Sequence, residues 1–205
     1  MGNEMVIIKN RSQFEEVAAL AEDMVLCESR LPDQVFRDCF DKFRFEEFDW
    51  AMSADFWPFL QEIAAKSHDP YIVMGVIEPS PTDYFCKEFG CYNWFQLPVT
   101  MSGGDYWSVL ELAPAGSPAD ALLFNSDVVV WLSPSKNWAI WGERSNGLCV
   151  LATRTIDSFR VNHSWRSADE ALQGIIPMHF SNGIVSTDFA RTLRVNYPEP
   201  ESPIR

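Results

Sequence analysis

Positive charge is scarce in this chain. Its 205 residues carry 16 Lys and Arg against 29 Asp and Glu, a net charge of −13. A nucleic-acid partner is not expected, because such binding rests on Lys and Arg set against phosphate. Attachment to anionic membranes is not expected for the same reason. There is no run of about 18 uncharged apolar residues, so no membrane span is expected. The opening MGNEMVIIKNRSQFEE has no basic stretch leading into an apolar core, so it does not read as a signal peptide. Gly2 follows Met1, but Val6 stands where a myristoylation signal needs Ser or Thr.

Histidine and cysteine are also sparse. The three histidines, His68, His163 and His179, are scattered, and the five cysteines are Cys27, Cys39, Cys86, Cys91 and Cys149. An odd, irregularly spaced set does not form a secreted disulfide framework, so reduced thiols and a cytoplasmic protein are expected. The close pair in CKEFGC, Cys86 and Cys91, lacks both the tight spacing and the second pair of a zinc site. No metal and no cofactor is expected. Phosphate-binding loops, the Gly-x-Ser-x-Gly elbow and His-Glu-x-x-His are all missing. Asp157, His163 and Ser164 contain the residue types of a nucleophilic triad, but near neighbours in sequence rarely converge that way. Cys149, within the apolar run LCVLA, reads as an inert core thiol.

What the chain does have is aromatic mass: 15 Phe, eight Trp and five Tyr, with 47% hydrophobic residues overall. That suffices for a sizeable core. Residues 1–205 are expected to form a single α+β domain, with a helical N-terminal part packed on a mainly antiparallel sheet and short C-terminal helices. Residues 1–70 read as mainly helical, 71–195 as sheet-centred and 196–205 as a flexible tail. The acidity lies in the first two thirds. Residues 1–70 hold 15 acidic and seven basic side chains, and residues 71–135 seven and one, whereas residues 136–205 are nearly balanced.

Periodicity places the elements. Ser12 with Glu15 has capping-box spacing ahead of a helix over 13–28, in which Phe14, Val17, Ala18, Ala21, Met24 and Val25 share a face. Val35, Phe36, Cys39, Phe40 and Phe43 recur at helical spacing and predict a second helix over 32–43. A third is expected over 54–66, with Pro58 in its first turn. YIVMGVIE (71–78) reads as a buried strand, 82–90 as helical turns ending at Gly90, and DYWSVLEL (105–112) as an alternating strand. DVVVWLS, NWAIWGE and GLCVLAT, separated by PSK and RSNG, predict a meander. Short helices are expected over 167–175, capped by Ser167 with Glu170, and over 186–195, starting at Ser186 or Thr187.

Three tryptophans fall in the meander: Trp131, Trp138 and Trp141. Trp138 and Trp141 are three apart, so they point to opposite faces of a strand. Either helices cover both faces, or one tryptophan meets solvent or a partner. A second aromatic concentration is RFEEFDWAMSADFW, where Glu46, Glu47, Asp49 and Asp55 alternate with Phe45, Phe48, Trp50, Phe56 and Trp57. Interfaces place aromatic anchors inside a polar rim. The candidate partner-binding set is therefore Glu46, Glu47, Asp49, Trp50, Asp55 and Trp57, with Trp141 and Glu143 from the meander. An amphipathic connection, with its rings in the core and its acids in water, has the same composition.

The whole profile resembles the immunity proteins that bacteria pair with secreted polymorphic toxins: small, acidic, α+β, aromatic-rich and without a catalytic motif. SPSKNWAIWGERSNGLCVL also resembles stretches in bacterial proteins of this kind. The resemblance implies a cytoplasmic protein that binds a cognate, basic toxin domain and blocks its active or substrate-binding surface. Two other readings stay open. One is a hydrolase acting on a sugar or small substrate, which requires converging carboxylates in an aromatic cleft, one of them with a raised pKa. Carboxylate pairs are available at Glu15–Glu16, Glu22–Asp23 and Glu46–Glu47. The other is a structural or adaptor domain, whose acids would be dispersed and serve solubility.

Overall fold

A computed structural model describes residues 6–154 and 165–198. It shows an α+β protein built on one seven-stranded antiparallel sheet. The strands are β1 (Val6–Ile7), β2 (Lys42–Glu47), β3 (Tyr71–Glu78), β4 (Trp94–Pro98), β5 (Val128–Leu132), β6 (Trp138–Glu143) and β7 (Leu148–Thr153). Across the sheet they run β1-β4-β3-β5-β6-β7-β2. The helices are α1 (Arg11–Glu22), α2 (Phe48–Ala51), α3 (Trp57–Lys66), α4 (Lys87–Phe89), α5 (Gly103–Leu110), α6 (Ala168–Gly174) and α7 (Thr187–Asn196).

The meander forms as expected, and every residue of β5, β6 and β7 is buried. Antiparallel sheets often leave one face wet; here helices cover both. Trp131 and Trp138 pack into the core beneath α2, α3 and α5. Trp141 points into the opposite core, with α1, α6 and α7. None of the three is a surface residue. The Trp131 indole N–H donates to Tyr106 Oη at 3.1 Å, and Tyr106 in turn donates to the Ala51 carbonyl.

Several local signals are realised. Ser167 and Glu170 form a reciprocal capping box at α6, Ser186 caps α7, and Pro58 sits in the first turn of α3. Residues 81–89 coil as a wide π-type turn followed by α4, and Gly90 closes them in the left-handed region at φ 69°.

Other expectations are corrected. Residues 32–43 form no helix. Val35 to Arg37 run extended and pair with Met24 to Leu26, and Phe36 bridges Val25. Phe36 and Phe43 instead surround Tyr197. The aromatic spacing thus serves a tertiary cluster. RFEEFDWAM is not simply an amphipathic connection, since it supplies β2 and α2. Residues 105–110 lie in α5, not in a strand, and Glu111 caps its end, because Ser102 and Asp105 make a capping box and Tyr106, Val109 and Leu110 bury one helical face. Helix α1 is capped by Asn10 rather than Ser12 and stops at Glu22 rather than continuing to 28. The segment 196–205 begins ordered: Asn196 ends α7, and the buried Tyr197 hydroxyl donates to Asp33 O at 2.6 Å. Residues 199–205 lie outside the described residues.

Strand β4 has no counterpart among the expected elements. Its Trp94 ring lies directly over Gly75 of β3, where a Cβ would come within 2.4 Å of ring carbons. The indole N–H donates to Val76 O at 2.9 Å. Only glycine permits that approach.

Candidate functional site

The eight residues singled out as a partner surface are divided between the interior and the exterior. Glu46 is 3% exposed on β2, where Arg166 pairs with it at 3.1 Å. Trp57 is fully buried, and its N–H donates to Met101 O at 2.7 Å. Trp141 is fully buried as well. Glu143 is 4% exposed and accepts hydrogen bonds from Leu31 N, Ser145 Oγ and Asn146 Nδ2, with Trp141 Nε1 at 3.4 Å. It fastens the 26–36 loop to β6. These four are corrected from surface to interior, because two buried, hydrogen-bonded strand acids and two buried indoles present nothing for a partner's first contact. Glu47 is half-buried beside Arg166. Trp50 is half-buried among Phe56, Phe59 and Trp165. Of the set, Asp49 and Asp55 are exposed.

The surface feature that does combine acids with aromatics lies on the other face of the sheet. A groove runs between α1 and residues 77–87, as two depressions of about 610 and 510 Å3 that share Phe14, Ala18, Glu22, Thr82 and Asp83. Two elements distant in sequence make its walls. Helix α1 presents Ala18 and Ala21 there, too short to fill the space, while the π-type turn widens the opposite wall. The floor is aromatic: Phe14 stacks on Tyr92 with centroids 4.0 Å apart and meets Trp94 edge-on at 5.7 Å.

The rim is charged. Glu15 pairs with Arg11, Glu78 with Arg30, and Asp83 with Lys87. Glu22 and Glu28 are exposed and make no ion pair among the described residues. Their field is felt by a neighbour: burial pushes the Cys27 thiol pKa up, and the charges of Glu22 and Glu28 push it further. The groove can therefore hold cationic side chains over an apolar base. In the sequence Glu22 and Asp23 stand only as one of several carboxylate pairs, on a face of the first expected helix. The missed signal was the pairing of that face with the turn at 81–87, which only the fold supplies.

Among carboxylates whose pKa is displaced, Asp105 and Glu170 are lowered by cap hydrogen bonds, Asp23 by Lys136, and Asp120 by Ser117, Tyr84 and Asn125. Each of these anions is stabilised, the reverse of what a general acid needs. Burial drives the Cys149 thiol pKa well upward, as an inert core thiol requires. Asp157, His163 and Ser164 lie outside the described residues. Among the described residues, no three His, Cys, Asp or Glu side chains converge to hold a metal. No helix among them is long and apolar enough to cross a membrane. Compared with protein-family models, curated proteins and solved structures, the chain matches none.

Proposed function

We propose that this protein is a cytoplasmic, stoichiometric protein-binding domain of the immunity type. It neutralises a basic toxin domain by covering that domain's active or substrate-binding surface, and the mechanism needs no turnover. The observation that carries this reading is the groove beside α1, with an aromatic floor and two exposed, ion-pair-free carboxylates, Glu22 and Glu28. A net charge of −13 draws a basic partner in and raises its association rate, and the effect falls with ionic strength. Lys or Arg side chains then meet the rim, while an apolar side chain beside them takes the floor.

The test is a pull-down from the source organism's lysate at low and moderate salt, followed by association kinetics on the captured partner. Glu22→Lys with Glu28→Lys is expected to slow association about tenfold at low salt. Asp49→Lys with Asp55→Lys makes the same change of charge elsewhere and is expected to have a smaller effect. Equal effects from the two pairs would remove the groove from the reading. Failure to capture any partner at either salt would count against a binder and direct attention to hydrolase assays.

A further inference from the structure

If the groove between α1 and residues 77–87 receives a protein, as proposed above, its walls decide the backbone of the segment that enters. Both long walls are helical. The N–H and C=O groups of α1 are engaged in its own turns, beginning with Phe14 N on Asn10 O at 3.0 Å. Across the groove the π-type turn is engaged likewise: Tyr84 N and Phe85 N both bond to Ser80 O, and Gly90 N bonds to Cys86 O. Strand β3 brings Ile77 and Glu78 to one end, but it pairs with β5 as far as Glu78, and Val76 N bonds to Asn93 O on its other edge. An extended segment laid here would hold its own N–H and C=O groups against walls already bonded to themselves, which is costly away from water. An α-helix arrives with those groups satisfied. Ala18 and Ala21 present single methyl groups to the groove, so a second helix axis can approach to about 8 Å, the near end of the usual range.

Charge fixes what that helix carries. Five carboxylates and three cations line the two depressions. Glu15 takes Arg11, Glu78 takes Arg30 and Asp83 takes Lys87. The remaining two, Glu22 and Glu28, stand at one end, where both charges act on the Cys27 thiol. Arg37 donates to the Glu22 carbonyl at 2.9 Å and makes no ion pair with its carboxylate, while Lys136 takes Asp23. Phe14 and Glu22 are eight residues apart on α1, or about 12 Å at a helical rise of about 1.5 Å per residue. An apolar side chain over Phe14 and a cation at Glu22 are therefore two turns apart on whatever lies alongside.

We propose that the groove takes an α-helix of a basic partner protein, laid along α1. Apolar residues at i and i+4 of that helix meet Phe14 and Ala18, and Lys or Arg at i+7 or i+8 reaches Glu22 and Glu28.

Fluorescence anisotropy at low salt, on the full chain with labelled Ala-rich peptides of about 16 residues, tests it. The first peptide carries Leu at i and i+4 and Arg at i+7 and i+8. The second has the same composition, with its arginines moved to i+6 and i+9 on the opposite face. The third is the first with a central proline, which breaks the helix. The first is expected to bind saturably, about tenfold tighter than either of the others, and to gain helical circular dichroism on binding. Ala18→Phe, whose ring fills the groove, is expected to weaken it about tenfold, and so is Glu22→Lys with Glu28→Lys, two exposed changes. Asp49→Lys with Asp55→Lys is expected to weaken it less, and thermal melts confirm that each variant is folded. The helix is overturned by equal binding of the three peptides, by no saturable binding of the first at millimolar concentration, or by indifference to both groove variants. A captured toxin that is weakened by the Glu22 and Glu28 changes but not by Ala18→Phe keeps the charged rim and also overturns the helix. The first peptide bound as expected, with no partner captured from lysate, supports the helix site and counts against the toxin reading.

Discussion

Asn93 offers a sharp test of the physical reasoning without any ligand. Both polar atoms of its side chain are buried and unpartnered. Each such atom costs about 1–3 kcal/mol relative to its hydrated state in the unfolded chain. Asn93→Leu removes both penalties and adds buried apolar surface, beside a cavity of about 430 Å3. Part of the gain is lost to local repacking, which costs about 1–3 kcal/mol where space is tight. The net expectation is a stabilisation of about 1–3 kcal/mol. In a chain of this size that raises Tm by about 2–4 °C for each kcal/mol. Urea unfolding followed by tryptophan fluorescence measures it, with the slope unchanged between the two proteins. Asn93→Ala serves as the control against overpacking and is expected to stay within about 1 kcal/mol of the parent, because the amide goes but nothing larger arrives. If both variants are destabilised by more than that, the amide is satisfied in solution and the case for two unpartnered polar atoms fails.

Two further predictions concern the frame around these sites. Gly75→Ala drives a methyl group into the Trp94 ring, and a loss of about 3 kcal/mol is expected by chemical denaturation; a change below about 1 kcal/mol would mean that the ring is not held over the strand. Asp120 is lowered in pKa first by its hydrogen bond from Ser117, then by that from Tyr84. Its contribution is therefore present above the unfolded carboxylate value of about 3.9 and is lost as pH falls through the lower folded value. Stability measured from pH 5 down to pH 2 should fall less steeply in Asp120→Asn, and identical slopes would refute the assignment.

Local chemistry made parts of this molecule legible. The Ser167–Glu170 cap, Pro58 at the start of α3 and the meander turns act over a few residues, and reading them needs no knowledge of the fold. The segment 32–43 could not be read that way. Its aromatic rings recur at helical spacing, yet they pack around Tyr197, more than 150 residues away. DYWSVLEL alternates in pairs, and the short-range signal that overrules alternation, Ser102 with Asp105, sits just upstream. The binding set misled for a similar reason. Glu46 and Glu143 look like surface acids until Arg166 and Leu31, each more than 110 residues distant, arrive to hold them inside. The groove and the cavity are likewise made by elements that meet only in three dimensions: α1 against 81–87, and β1 and β4 against 112–122.

The ends of the sheet limit how anything can dock on it. Strand edges are templates for pairing with another chain, by aggregation or by an invading peptide. At one end β1 contributes two residues among those described, a short template for a partner. At the other, Phe45 in β2 exchanges both backbone hydrogen bonds with Arg166 at 2.8 Å, which occupies the middle of the outer edge. Among the described residues, strand addition thus meets a two-residue strand at one flank and an occupied mid-strand position at the other. On the proposed function, a partner would read side chains and shape at those positions, so its specificity could be rewritten by point substitutions on the helical layers without disturbing the sheet.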